Sequence, residues 1–246
     1  MGLLSNRVDR ESLKPGDHIY SWRAAYIYAH HGIYIGDEKV IHFTRHGPKV
    51  GTSSVLDVLM VSSVSPPSLT PCPNCTHTEN NNEVITSCLD CFLAGGVLYR
   101  FEYSTNPASF FVKARRGTCT FAASDPPGAV LYRANYLLDK GFGCYNIFKN
   151  NCEDFAIYCK TGLLVSGKKS MGQSGQVASL IDGPLVGFLS VVVKLVKTNV
   201  YVKTASVASS VATYCVTRYA TDIGIRSDVV KVRVEDLPIM HHNIAT

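Results

Sequence analysis

Apolar and polar residues alternate in several short runs of the chain, and this period of two predicts β-strands. The runs lie at residues 18–22, 26–35, 39–44, 55–64 and 97–103. Gly36, Asp37 and Glu38 separate the second run from the third. A short break of this composition predicts a hairpin turn. The pattern therefore favours an antiparallel sheet.

The second half of the chain contains two segments with helical periodicity. Apolar residues recur every three or four positions within 129–140, and Gly141 is suited to end that helix. Asn151 has the side chain of a helix N-cap, which predicts a second helix over 152–160 that ends at Gly162. Helices packed on an antiparallel sheet give an α+β fold.

A glycine- and serine-rich stretch at residues 166–175 predicts a flexible linker. Residues 177–221 are rich in Ala, Val and Ser and are expected to be mainly helical, and 229–234 alternates like a late strand. We therefore expect one domain over residues 1–165, followed by a basic, mainly helical C-terminal extension over residues 166–246.

The composition is that of a folded, mildly basic protein. Of the 246 residues, 46% are hydrophobic and 17% are charged, which excludes an intrinsically disordered chain. The net charge of +5 is well short of a dedicated nucleic-acid binder, so no nucleic acid partner is expected. The basic excess falls mainly in residues 163–246, which indicates either a solvated helical face or peripheral contact with an acidic membrane.

No segment of the sequence predicts export or insertion into a membrane. The first residues lack the apolar stretch of a secretory signal. The longest uncharged apolar stretches, 183–193 and 204–217, are shorter than the roughly 20 residues that span a bilayer. We expect a cytoplasmic protein, with peripheral membrane contact left open and protein partners unknown.

The predicted hairpin carries candidate catalytic histidines. Side chains alternate along a strand, so His31 shares the apolar face of Ile33, and His30 lies on the face that could serve a site. A hairpin register can place His30 beside His42, since Cβ atoms of cross-strand neighbours are about 5 Å apart. The other histidines have no evident partner and are expected at the surface: His18, His46, His77, His241 and His242.

Cys152 is the candidate nucleophile because it follows Asn151 at the predicted start of a helix. Free N–H groups and partial positive charge at that end favour a thiolate and can receive a developing oxyanion. Glu153 and Asp154 act in the opposite direction, because nearby carboxylates raise a thiol pKa. A neighbouring imidazolium would have to outweigh them, and a second histidine could orient the first. Spacing alone leaves open that these residues are unrelated.

A second constellation consists of two C-x2-C pairs separated by twelve residues, within a predicted insertion at 66–95. Its members are Cys72, Cys75, Cys88 and Cys91. Two such pairs complete a tetrahedral zinc site, and the absence of a remaining open position predicts a structural role. The alternatives are reduced structural cysteines or a redox pair, and His77 is a substitute ligand. We expect structural zinc and no cofactor for catalysis.

Several blocks resemble one known family. HHGIYIGDEKVIH resembles the H-x-[GA]-I-Y-[LV]-G-D…H block of the lecithin:retinol acyltransferase (LRAT) family, and NNCEDFAIYCKTG resembles its N-C-E-x-F block. LKPGDHIY and AVLYRANYLLDKG are similar to its opening strand and to the helix before its nucleophile. The resemblance covers about residues 10–165. The inserted cysteines and the basic tail are similar to the plant NC-domain branch.

This resemblance implies a permuted papain-like (NlpC-type) core and a set of roles. Cys152 matches the nucleophile, His30 the base and His42 the second, orienting histidine. Family members take a fatty acyl group from a glycerophospholipid as a thioester and pass it to water, an amine or an alcohol. Two departures are the missing hydrophobic membrane helix of animal members and Asp154, where several relatives have His.

Three functions are compatible with these observations. The first is a cysteine-dependent acyltransferase or phospholipase A acting on a phospholipid or other acyl ester. The second is a non-catalytic, zinc-stabilised interaction or regulatory module on the same fold. The third is a cysteine amidase or peptidase of the wider superfamily. One fast-reacting cysteine at position 152 would distinguish the catalytic functions from the module.

Overall fold

The structure of the protein is a computed structural model. It describes residues 6–23, 28–44, 72, 75, 84–113, 116–143, 150–166 and 200–237. The strand predicted at 55–64 and most of the linker predicted at 166–175 lie outside these ranges.

An antiparallel sheet lies at the centre of the described fold. Its strands are β1 (His18–Arg23), β2 (Tyr28–Gly36), β3 (Lys39–Phe43), β4 (Val84–Cys88) and β5 (Tyr99–Arg100). They pair in the order β4-β3-β2-β1-β5, and each pairing is antiparallel. Helices pack on this sheet, so the predicted α+β class is confirmed.

A tight turn joins β2 to β3 and confirms the predicted hairpin. Gly36 pairs with Lys39, and the two residues between them, Asp37 and Glu38, have φ angles of 49° and 55°. Two consecutive positive φ angles are typical of a type I′ turn, whose twist matches that of paired strands. Between Tyr34 and Gly36 the register shifts by one residue, so that Tyr34 pairs with Val40 and Ile33 with Ile41.

Helices cover both faces of the sheet. The described helices are α1 (Leu89–Leu93), α2 (Pro107–Val112), α3 (Pro127–Lys140), α4 (Cys152–Thr161) and α5 (Val200–Ala220). Those that pack on the sheet are α1, α3 and α4. Helices α3 and α4 pack on the face of Ile33 and Ile41, whereas Phe92 of α1 packs with Val40 on the other. The sheet is therefore buried on both sides. Within the described ranges, no helix combines the length and apolar character needed to cross a bilayer.

The predicted insertion at 66–95 contributes directly to this core. Its apolar residues form the edge strand β4 and helix α1, with Val84, Leu89 and Phe92 buried. The strand predicted at 97–103 is shorter than expected. Only Tyr99 and Arg100 pair with β1, because the chain then turns so that Glu102 pairs with Cys119.

The described part of the predicted C-terminal extension also joins the main core. Strand β6 (Leu163–Val165) pairs with β7 (Val229–Lys231), which lies within the late strand predicted at 229–234. Side chains that follow β7 pack in the cluster formed by α3, α4 and the sheet. These are Val232, Val234 and Leu237. Burial of these apolar side chains ties the end of the chain to the domain.

Candidate active site and metal centre

The hairpin brings two of the predicted site residues into contact. Nε2 of His30 lies 2.9 Å from Nδ1 of His42, and Nε2 of His42 lies 2.9 Å from the hydroxyl oxygen of Ser87 on β4. All three side chains are buried. The three residues form a continuous hydrogen-bonded chain, which we call the relay (His30, His42 and Ser87).

Burial keeps the relay uncharged. Loss of solvation lowers the pKa of His30 well below its ordinary value, and the nearby His42 and Arg23 lower it further. Burial, followed by the charge of Arg23, lowers the pKa of His42 to about 3. Both rings are therefore neutral at pH 7, with one nitrogen donating and the other accepting. Nδ1 of His30 is buried and hydrogen-bonds to none of the described residues.

Cys152 lies at the first turn of α4, as its sequence context predicts. The side chain of Asn151 accepts hydrogen bonds from the backbone N–H groups of Glu153 and Asp154, and the carboxylate of Asp154 accepts one from Asn151. This reciprocal capping box fixes the helix start. The cysteine itself is fully buried. Its sulfur is thereby held at the positive end of the helix dipole.

The cysteine meets the sheet at the end of β2 that carries His30. Sγ of Cys152 lies 3.0 Å from the hydroxyl oxygen of Tyr28 and 3.7 Å from the carbonyl oxygen of Ala29. Tyr28 and His30 are two residues apart on one strand, so their side chains share a face. The structure therefore places Cys152 and the relay at the same end of β2. The hydroxyl of Tyr28 therefore contacts the candidate nucleophile.

The charges around Cys152 differ from those that the sequence indicates. Desolvation raises the pKa of Asp154 to about 7, against the opposing effect of the Asn151 hydrogen bond. About half of the negative charge expected on Asp154 is therefore absent at pH 7. Burial lowers the pKa of Arg23, while negative charge on Tyr28 and Cys152 acts to raise it. Arg23 is thus a cation within electrostatic range of the sulfur.

Arg23 and Ser87 are site residues that sequence reasoning missed. Arg23 pairs with Tyr28 across β1 and β2, and its guanidinium donates to carbonyl oxygens of Phe92 and Leu93. The alternation of HIYSWR places Arg23 on the same face as Ser21, and β1 pairs Ser21 with His30 on the face of the relay. No local signal marks Ser87, because its role depends on how β4 pairs with β3.

A second histidine chain lies on the opposite face of the sheet. Nε2 of His18 lies 2.8 Å from Nδ1 of His31, and Nδ1 of His18 lies 2.7 Å from the hydroxyl of Tyr103. Placement of His31 on the core face is confirmed. The expectation that His18 lies at the surface is wrong, because β1 pairs His18 with Ile33 and Phe101 stacks on its ring.

The four predicted metal ligands lie together. Their sulfur atoms, from Cys72, Cys75, Cys88 and Cys91, are within 4.8 Å of one another. Sγ of Cys88 is 3.8 Å from that of Cys72 and 3.7 Å from that of Cys75. A tetrahedron with Zn–S bonds of about 2.3 Å has S···S edges of about 3.8 Å. The cluster therefore has the size of a tetrahedral tetrathiolate site.

Backbone and charge also favour a cation in this cluster. The N–H groups of Cys91 and Cys88 point at the sulfur atoms of Cys88 and Cys75, at 3.5 Å and 3.4 Å. Burial, and then the neighbouring sulfur atoms, raise the pKa of Cys91, so four thiolates without a counter-charge would be unstable. A bound divalent cation lowers the pKa of its cysteine ligands and favours their thiolate form. The four cysteines can hold a metal ion.

Comparison with known proteins agrees with the blocks seen in the sequence. The sequence profile of the family described as "Lecithin retinol acyltransferase" matches residues 11–165. "Protein LEAD-SENSITIVE 1" of Arabidopsis thaliana is 62% identical over 237 residues, which are 96% of this chain and 90% of that protein. No solved structure matches the chain. The profile covers more than half of the chain and includes His30, His42 and Cys152. This chain therefore belongs to the lecithin retinol acyltransferase family.

Proposed function

We propose that the chain is a cysteine-dependent acyltransferase or phospholipase A-type acyl hydrolase that takes a fatty acyl group from a glycerophospholipid. The observation that carries this proposal is the neutral relay at the same end of β2 as Cys152. Membership of a family that acts on phospholipid acyl esters supports the substrate class. The permuted papain-like core remains a prediction.

The relay has one tautomeric arrangement that prepares a base. If His30 donates from Nε2 to His42, and His42 donates from Nε2 to Ser87, the lone pair of His30 Nδ1 is left to accept a proton. That nitrogen has no other described hydrogen-bond partner. The proposal requires this nitrogen to reach Sγ of Cys152 in the substrate complex, where catalytic hydrogen bonds often tighten.

The reaction follows from these groups in two balanced steps. His30 takes the thiol proton, and the sulfur of Cys152 attacks the ester carbonyl carbon. The C–O bond then breaks, and the leaving lysophospholipid oxygen receives the proton from His30, which leaves a thioester. The hydroxyl of Tyr28 and the helix dipole stabilise the transient oxyanion. Water, an amine or an alcohol then gives a proton to His30 and attacks the thioester carbonyl carbon. The C–S bond breaks, and the sulfur takes the proton back from His30, which restores the thiol.

The thioester itself is the sharpest test. Full-length protein incubated with phosphatidylcholine vesicles is expected to gain the mass of one fatty acyl group, removable by neutral hydroxylamine and mapped to the Cys152 peptide by mass spectrometry. Cys152→Ala should show no such gain, and Cys215→Ser, on α5, should gain it like the wild type. A chain that stays unmodified, or an equal adduct on Cys152→Ala, would leave the non-catalytic module as the better function.

We propose that the metal is zinc in a structural role, because four thiolates leave no coordination position for a substrate. Purified protein is expected to contain about one zinc per chain. Cys91→Ser should lose this zinc and lower Tm by about 5 °C, since a chain of this size shifts by about 2–4 °C per kcal/mol lost. Cys215→Ser is the matched control for loss of a half-buried thiol. Full zinc content in Cys91→Ser would contradict this ligand set.

Access to the substrate is proposed to be peripheral. Phospholipid acyl esters lie in membranes, and the basic excess of residues 163–246 is attracted to acidic lipid surfaces. This contact would bring the domain to its substrate without a membrane-spanning segment.

A further inference from the structure

Strand β4 joins the metal cluster to the relay through one peptide bond. Ser87 accepts or donates the hydrogen bond to His42, and the next residue, Cys88, contributes its sulfur to the cluster. Neighbouring side chains of a strand point to opposite faces. The side chain of Ser87 therefore points to the relay, and that of Cys88 points to the other metal ligands.

Helix α1 makes a second connection of the same kind. Cys88 caps α1 through its sulfur, and Cys91 lies in the first turn of the helix. The adjacent Phe92 packs on both imidazoles, with ring centroids 5.2 Å from His30 and 5.5 Å from His42. Ser87 of the relay thus directly precedes Cys88, and Phe92, which packs on the relay, directly follows Cys91.

The connection also determines how firmly the relay is oriented. Among the described strands, β4 lies at the edge of the sheet and pairs only with β3, and α1 has five residues. Helices this short have little stability of their own, and edge strands lack the support of a second neighbour. Four metal–sulfur bonds would tie the end of β4, the start of α1 and Cys72 and Cys75 to one point.

We propose that Ser87 is a positioning residue that selects the base form of His30 through His42, and that a metal ion at the four cysteines fixes Ser87 in place. This inference rests on the proposed acyl transfer and adds a control on the same site. When the Ser87 oxygen accepts from His42 Nε2, His42 Nδ1 must accept from His30, which leaves the lone pair on His30 Nδ1. Without that acceptor, the reverse tautomers become equally accessible and the fraction of chains with a ready base decreases.

The test compares Ser87→Ala with Ser87→Thr in the full-length, metal-loaded protein. Ser87→Ala should lower kcat by about 10- to 100-fold with KM unchanged, the usual effect of losing a group that orients a functional imidazole. Ser87→Thr keeps the hydroxyl and should recover most of the rate. Equal zinc contents would show that the cluster is intact in both variants. A wild-type kcat in Ser87→Ala, or no recovery in Ser87→Thr at unchanged Tm, overturns the assignment of Ser87.

Metal removal tests the other half of the proposal. Chelation should lower kcat of the wild type to about the level of Ser87→Ala. It should have little further effect on Ser87→Ala itself, because the effects of two coupled changes on kcat are not additive. Full additivity of the two losses would overturn the coupling. Cys215→Ser should respond to chelation as the wild type does.

A spectroscopic measurement separates this inference from the proposed function. Ring nitrogen NMR shifts of His42 distinguish its tautomers, and they should change in the same direction on chelation and in Ser87→Ala. Absence of acyl transfer in the wild type would overturn the proposed function. Unchanged His42 shifts in Ser87→Ala or on chelation would overturn the inference, whatever the lipid activity.

Discussion

Replacing His30 by glutamine is expected to lower kcat/KM for phosphatidylcholine by about 10⁴-fold, close to the loss expected for Cys152→Ala. Nucleophile and base act as one unit, so removing either removes nearly the whole covalent route. Glutamine keeps a polar group near Nε2 and can still bond to His42, but it supplies no basic nitrogen. Initial rates of fatty acid release from vesicles measure the effect.

The adjacent His31 provides a matched control. Its side chain is buried like that of His30 and is also hydrogen-bonded to another histidine, but it lies on the opposite face. His31→Gln is therefore expected to keep kcat/KM within about threefold of the wild type, although it loses a buried partner of His18 and some stability. Equal losses in the two variants at equal folded fractions would contradict the assignment of His30 as the base.

The local part of this site could be predicted from the sequence. Alternation in β2 and β3 and the break at Gly36 indicate the hairpin, but the register shift between Tyr34 and Gly36, which sets the facing residues, has no signal in that alternation. His30 and His42 are only twelve residues apart, so one turn brings them together. The helix start at Asn151 is equally local, because its capping box lies within four residues.

The remaining contacts depend on pairings between distant segments. Ser87 reaches His42 across 45 residues of chain, and Tyr103 reaches His18 across 85. Both require the partner and register of another strand, which alternation within one segment does not specify. The same limit explains why the sequence alone predicts an insertion at 66–95, whose second half supplies an edge strand and a helix of the core.

The described histidines lie on two opposite faces of the sheet, and all four are buried. The relay lies under α1, and the pair of His18 and His31 lies on the face packed against α4. On both faces burial disfavours the imidazolium form. The described part of the chain thus contains four histidines that are neutral in the folded state and take up protons near pH 6.5 in the unfolded state.

Acidification from pH 7 to 5.5 is expected to lower the free energy of unfolding by about 3 kcal/mol, because protonation of four histidines in the unfolded chain lowers it by about 5 kcal/mol and protonation of Asp154 in the folded chain offsets about 2 kcal/mol. Burial lowers the pKa of His31 and His42 to about 3, and that of His18 and His30 well below the ordinary value. In the unfolded chain these groups bind protons near pH 6.5. The unfolded state therefore binds more protons below that pH, and stability that is full above pH 6.5 decreases towards pH 3. Urea denaturation at a series of pH values gives the slope.

Two variants assign this slope to particular groups. Asp154 acts in the opposite sense, because its pKa is raised to about 7 in the folded chain and the folded state takes up its proton first. Asp154→Asn, which keeps an acceptor for the Asn151 N–H, should therefore steepen the loss of stability with acid. His31→Gln removes one titrating group and should make the slope shallower by up to one proton. Stability that is unchanged between pH 7 and 5.5 in both Asp154→Asn and the wild type would show that the histidines are not held neutral by burial.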